Sequence, residues 1–178
     1  MYRLIRLIVF SFILFNGLAV LSSPVSAEPI FKAGFAAKDI TPPNGIPMWG
    51  YGARHDYPAE GAKFPLFFKV VVIDDGTNRI AIGGLDLGRS PTQKSIERIS
   101  EQVKTQCQVS GLMLVGSHTH HGPVLELIDE PNCGKGKFDA TIQYVADLEN
   151  KICEAISEAC SKLTPAKIGW ISEQTDFN

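Results

Sequence analysis

The sequence predicts an α/β fold built on a mixed sheet, with a hairpin followed by a parallel strand–helix–strand crossover. Three observations carry this. Leu66 to Ile73 and Arg79 to Leu87 are apolar, β-branched runs. Between them, Asp74-Asp75-Gly76-Thr77-Asn78 is a hairpin loop with the glycine such turns need. After the hairpin, Ile96, Ile99 and Val103 recur at helical spacing, and Leu112 to Val115 is a further apolar run closed by Gly116. A strand, helix, strand order makes the two strands parallel neighbours. It also brings Asp86 and His118 to the same, C-terminal edge of the sheet, where open α/β sheets bind ligands.

The remaining elements follow in order. Phe31 to Ala37 alternates weakly and reads as a strand or extended lead-in, which Pro42, Pro43 and Asn44-Gly45 terminate. Ile46 to Gly52 is Ile-Pro-Met-Trp-Gly-Tyr-Gly, whose glycines permit close backbone approach to a ligand or positive φ. Trp49 and Tyr51 there either line a pocket or cap the core. Arg54 to Pro65 reads as surface loop. The first helix is expected to open with Ser90 as N-cap and Pro91 at the first helical position, and to end near Gln106. Glu126 to Lys137 reads as loop. From Phe138 to Leu163 a long helix buries Tyr144, Leu148, Ile152, Ile156 and Ala159 on one face and stops before Pro165. Lys167 to Ile171 is expected as a last strand.

Composition bounds the function. The chain has 178 residues, a net charge of −2 and a 44% hydrophobic share, which suits one globular domain. Without a basic stripe to neutralise phosphates, a nucleic-acid partner is excluded. Residues 1–27 read as a signal peptide: Arg3 and Arg6 precede the apolar Leu7 to Leu21, and Val25-Ser26-Ala27 follows Pro24. Cleavage is expected after Ala27, giving a secreted or periplasmic protein. The alternative is an uncleaved anchor, although the apolar run falls short of the roughly 20 residues that span a bilayer. In an exported chain, Cys107, Cys133, Cys153 and Cys160 are even in number and permit disulfides. Cys153 and Cys160 lie two turns apart on one predicted helix, ~10 Å at ~1.5 Å per residue, too far to bond each other. Cys107 or Cys133 could partner them, or the helix cysteines are small buried apolar residues.

Candidate chemistry is concentrated in Ser117-His118-Thr119-His120-His121-Gly122-Pro123, which holds three of the four histidines. On an extended segment His118 and His120 share a face and can address one cation, with Zn²⁺ the usual choice for imidazole nitrogen. His121 would face away. Two histidines fall short of a catalytic shell of three protein ligands. Asp86 is a candidate ligand or imidazole partner, or else a cap on the next turn. His55, in the polar loop, is the weaker candidate. Neither a phosphate-binding glycine loop nor a Gly-x-Ser-x-Gly elbow is present.

Four stretches resemble the N-terminal part of the neutral/alkaline, non-lysosomal ceramidases. They are Ala33-Gly34-Phe35-Ala36-Ala37-Lys38-Asp39-Ile40-Thr41-Pro42-Pro43, Met48-Trp49-Gly50-Tyr51-Gly52, Leu85-Asp86-Leu87-Gly88, and Gly116 to Pro123. His121 stands where that family commonly has serine. The resemblance implies zinc-dependent hydrolysis of the amide bond of ceramide, N-acylsphingosine, at a membrane surface. It implies His118 as the zinc ligand, His120 as a catalytic group near the substrate head, and Gly50, Tyr51 and Gly52 as the edge of the substrate site. Residues 28–178 would then be the N-terminal portion of a larger catalytic domain. The missing C-terminal part would supply the other zinc ligands and the serine. The alternative is a non-catalytic exported module with a loose metal-binding turn.

Overall fold

The computed structural model describes residues 31–51, 57–125, 139–174 and 176. Five strands form one mixed, open sheet. Strand β1 (Phe31–Asp39) pairs antiparallel with β2 (Phe67–Asp74), and β2 pairs antiparallel with β3 (Arg79–Leu85). Helix α1 (Gln93–Cys107) then leads to β4 (Gly111–Gly116), which lies parallel to β3. Helix α2 (Asp139–Ser161) follows, and β5 (Thr164–Ala166) closes the far edge against β1, giving the order β4-β3-β2-β1-β5. The expected hairpin and parallel crossover are both present.

The hairpin turns where its side chains replace strand bonds. The Asp74 Oδ1 accepts from the Gly76 N–H at 2.7 Å, and the Asp75 Oδ1 accepts from those of Thr77 and Asn78 at 2.8 and 2.6 Å. Such side-chain-to-backbone bonds are what Asp offers a turn.

Strand alternation divides the sheet into two unlike faces. One buries Phe68, Val70, Val72, Ala81, Leu85 and Leu114 beneath the helices. Against them α2 places Tyr144, Leu148, Ile152, Ile156 and Ala159, the face its periodicity predicts. The contact is close: a Cβ on Gly34 would stand 2.0 Å from the Ala159 carbonyl oxygen. The buried Tyr144 hydroxyl donates to the Ile40 carbonyl at 2.7 Å and so secures the chain as it leaves β1.

Helix α1 starts later than expected. Thr92, not Ser90, is the N-cap, with extended backbone and a hydroxyl accepting from the Ser95 N–H at 3.3 Å. Pro91 therefore precedes the cap and is buried. Gln108 ends the helix in the left-handed conformation, φ 60°, its N–H bonded to the Lys104 carbonyl.

The expected strand at Lys167–Ile171 is a second correction. Pairing ends with Phe31 opposite Ala166, at the first described residue of β1, so the strand is the three-residue Thr164–Ala166. Pro165 is tolerated because β5 is an edge. Beyond it Trp170 and Ile171 are exposed. The leader at residues 1–27, the Glu126–Lys137 loop, His55, Gly52 and Cys133 lie outside the described residues.

Candidate functional site

The histidine turn is built on the end of β4. Ser117 and His118 continue the pairing with β3, their N–H groups donating to the carbonyls of Leu85 and Leu87 at 2.9 and 3.1 Å. His118 then takes φ 62°, a left-handed conformation uncommon for a residue with a side chain. Regular strand stops there, and a turn at His120-His121 follows. His118 and His120 are brought together as expected, but by this turn and not by the alternation of an extended strand.

A second segment packs on the turn. The Trp49 N–H donates to the Gly122 carbonyl at 2.9 Å, the Val124 N–H to that of Pro47 at 2.9 Å, and Met48 bridges Pro123. This fixes Trp49-Gly50-Tyr51 beside the imidazoles. The Trp49 ring meets His118 and His120 edge-on, with centroids 5.0 and 4.9 Å away. Tyr51 meets His120 in the same manner at 4.8 Å. Trp49 and Tyr51 thus flank the histidine cluster.

Two glycines make this approach possible. Gly50 has φ +85°, and a Cβ there would lie 2.7 Å from the His120 Cγ. A Cβ on Gly88 would lie 2.2 Å from the Trp49 ring. The Arg89 guanidinium, which sequence reasoning did not single out, stands 5.4 Å from the centre of the same ring, within cation–π range. Its sequence signal was its place just after the strand-end Asp86-Leu87-Gly88.

Asp86 bonds the neighbouring strand and not the turn that follows it. Its Oδ2 accepts from the Phe67 N–H at 2.9 Å, and its own N–H donates to the Phe67 carbonyl at 2.9 Å. Its carboxylate thereby secures the start of β2 while its backbone lies beside the histidine turn. His121 faces the Tyr51 ring at 6.2 Å. Together with Thr41, Ile46, Met48, Leu66 and Pro123 it lines a largely apolar cavity of about 470 Å³. That cavity adjoins His121, whereas His118 and His120 lie outside its lining.

The ring centres of His118 and His120 stand 5.2 Å apart, edge to face, and imidazole nitrogen is a usual donor to Zn²⁺. Among the described residues no group of three His, Cys, Asp or Glu gathers that could hold a metal ion.

No protein-family model matches the chain. Its fold is similar to two solved structures. One is the neutral ceramidase from Pseudomonas aeruginosa, at 21% identity and TM-score 0.61 over 78% of this chain. The other is a ceramidase complexed with C2, at 20% identity and TM-score 0.60 over the same share. The chain spans about a fifth of their length, 22% of each. What is established is a neutral-ceramidase-like α/β fold over most of the described chain, with the histidine turn at the C-terminal edge of its parallel strands.

Proposed function

We propose that this chain contributes the first part of the active site of an exported, zinc-dependent amide hydrolase acting on ceramide-like lipids. The observation that carries the reading is the His118–His120 pair, ring centres 5.2 Å apart just past the end of β4, with Trp49 and Tyr51 edge-on beside it. The likeness of fold to the neutral ceramidases supports it. In this reading His118 is the zinc ligand, and zinc supplies Lewis-acid activation of water and of the amide carbonyl. His120, held between Trp49 and Tyr51, is the catalytic group that exchanges a proton or hydrogen bond with the reacting amide. Gly50, Tyr51 and Gly52 form the edge on which the lipid head group rests. The apolar cavity beside His121 offers room for hydrocarbon, as a substrate drawn from a membrane surface requires. In this reading the remaining zinc ligands and the catalytic serine belong to a further part of the catalytic domain. Residues 1–27 direct export to the periplasm or the extracellular space.

Zinc titration by calorimetry tests the assignment of His118. Wild type should bind measurably and His118→Ala markedly less; superimposable isotherms would remove His118 from the site. A fluorescent ceramide assay tests the activity. The chain alone should be inactive, and the chain continued by the reading frame after Asn178 should release the fatty acid. The second reading, a non-catalytic exported module with a loose metal-binding turn, is favoured by the absence of a third ligand among the described residues. It predicts no hydrolysis by either protein.

A further inference from the structure

We propose that Cys107 and Cys160 form a redox-active thiol pair that oxidises to a disulfide, cross-linking the C-terminal ends of α1 and α2. The two helices run parallel and in constant register. Arg98 bonds Glu149 at 2.6 Å and, two turns later, Gln106 bonds Ser157 at 3.1 Å, both pairs being 51 residues apart in sequence. On that register Cys107 comes level with residue 158. Cys160 is then two residues away along α2, ~3 Å at ~1.5 Å rise per residue, whereas Cys153 is five residues away, ~7.5 Å. The smaller offset along the helices therefore favours Cys160 over Cys153, and the Cys160 thiol contacts that of Cys107. Access favours it too. Cys107 and Cys160 are half-buried, but Cys153 is 2% exposed, too shielded for an incoming disulfide. Among the described residues all three thiols are free.

The surroundings hold the two thiols at the helix ends. Arg79 grips the Cys107 carbonyl at 2.6 Å and fixes the helix end there, while the Cys107 thiol donates to the Val103 carbonyl of its own helix at 3.4 Å. The Cys160 thiol is pushed up to about 12 by burial first and then by its contact with Cys107, so it stays protonated at neutral pH. Either thiol of the pair can open the exchange. As a thiolate, one of them attacks one sulfur of an oxidised low-molecular-weight disulfide such as glutathione disulfide, releasing one thiol and leaving a mixed disulfide on the protein. The other thiol then gives up its proton to solvent and attacks the protein sulfur of the mixed disulfide, displacing the second thiol. Two protein thiols are oxidised and one disulfide is reduced to two thiols. The bond closes a covalent ring from residue 107 to residue 160. That ring contains β4 and the histidine turn, so the cross-link ties the site's supporting strand to α2.

The test begins with the full chain, reduced and then equilibrated with a glutathione redox buffer. The remaining thiols are alkylated and the protein is cleaved after Lys, Arg and Glu. Those cuts separate all four cysteines: Thr105–Glu126 carries Cys107, Leu127–Lys135 carries Cys133, Ile152–Glu154 carries Cys153, and Ala159–Lys162 carries Cys160. A non-reduced species joining Thr105–Glu126 to Ala159–Lys162 is expected. Alkylated Cys107 and Cys160, or Cys107 joined to Cys133 or Cys153, would overturn the assignment. Thermal unfolding gives an independent readout. Oxidation should raise the Tm of wild type and of Cys133→Ser by on the order of 10 °C, because a long loop is closed. Cys160→Ser should show no rise, and an undiminished rise in that variant would also refute the pair.

Discussion

Gly50 is the residue on which the histidine cluster most directly depends. Its φ of +85° is open to glycine at little cost, and the His120 ring occupies the volume a methyl group would need. Gly50→Ala therefore has to displace the imidazole or the loop, at a cost of about 1–3 kcal/mol for forced overpacking. The expected outcome is a changed His120 imidazole signal in ¹⁵N-resolved NMR, with signals from the α2 core unmoved. An unchanged His120 signal would show that Gly50 does not set the ring's position. Tyr144 is the corresponding residue in the core. Burial pushes its hydroxyl well above the ordinary phenol range, so it stays protonated and serves only as a donor to the Ile40 carbonyl. Tyr144→Phe keeps the ring and orphans that carbonyl, which should cost about 1–3 kcal/mol in urea unfolding. A midpoint equal to wild type would mean that water or another donor replaces the hydroxyl.

Among the elements, the hairpin carries its own electrostatic lock. The Arg79 guanidinium reaches the Asp74 Oδ2 from Nη2 at 2.6 Å and from Nε at 2.9 Å. The Asp74 carboxyl is held below its ordinary value of 3.8, first by the hydrogen bond from Arg79 and then by the Gly76 N–H. A carboxyl that is more acidic folded than unfolded stabilises the fold above the unfolded value. That contribution fades as pH falls below about 4 and through the folded value. Asp74→Asn should therefore flatten the acid limb of the stability–pH curve below the ordinary Asp range while displacing the neutral-pH plateau downward. Parallel curves for variant and wild type would exclude the pair as a source of acid sensitivity. The hairpin was legible in the sequence because its signals are local: alternating β-branched runs and an Asp-Gly turn. The face of α2 was legible for the same reason, its period repeating over many turns. The last strand was not, because whether Lys167–Ile171 pairs depends on where β1 offers a partner, and that is a tertiary fact. The start of α1 was misplaced by two residues because Ser90 and Thr92 are both competent caps. Only the geometry around Ser95 decides between them. At the site, the closeness of His118 and His120 was anticipated through the wrong local cause, alternation instead of a left-handed turn. The placement of Trp49 and Tyr51 beside the histidines was left open because it depends on the pairing of residues 47–49 with 122–124.

At the scale of the molecule, both helices cover one face of the sheet and leave the other uncovered among the described residues. Pairing sets Phe35, Val71, Ile82 and Met113 in one row across four strands, flanked by Ile80 and Val115. Phe35 is 66% exposed and Met113 57%, and Ile80, Ile82 and Val115 are also open. Alternation alone would put polar residues on a solvent face, as antiparallel sheets commonly do. Here both faces of β3 and β4 are apolar, the pattern of strands designed for burial on two sides. A contiguous apolar surface of this kind binds amphiphilic dyes and drives self-association. The chain at neutral pH is therefore expected to enhance anilinonaphthalene sulfonate fluorescence and to sediment with a mass that rises with concentration. Ile82→Lys with Met113→Lys places two charges at the centre of the row without touching the helix-covered core. That double variant should lose most of the dye signal and sediment as a monomer, with urea unfolding no less cooperative than wild type. If dye binding persists unchanged while folding is intact, the apolar cavity beside His121 is the site that binds it, and the sheet face is not the molecule's principal apolar surface.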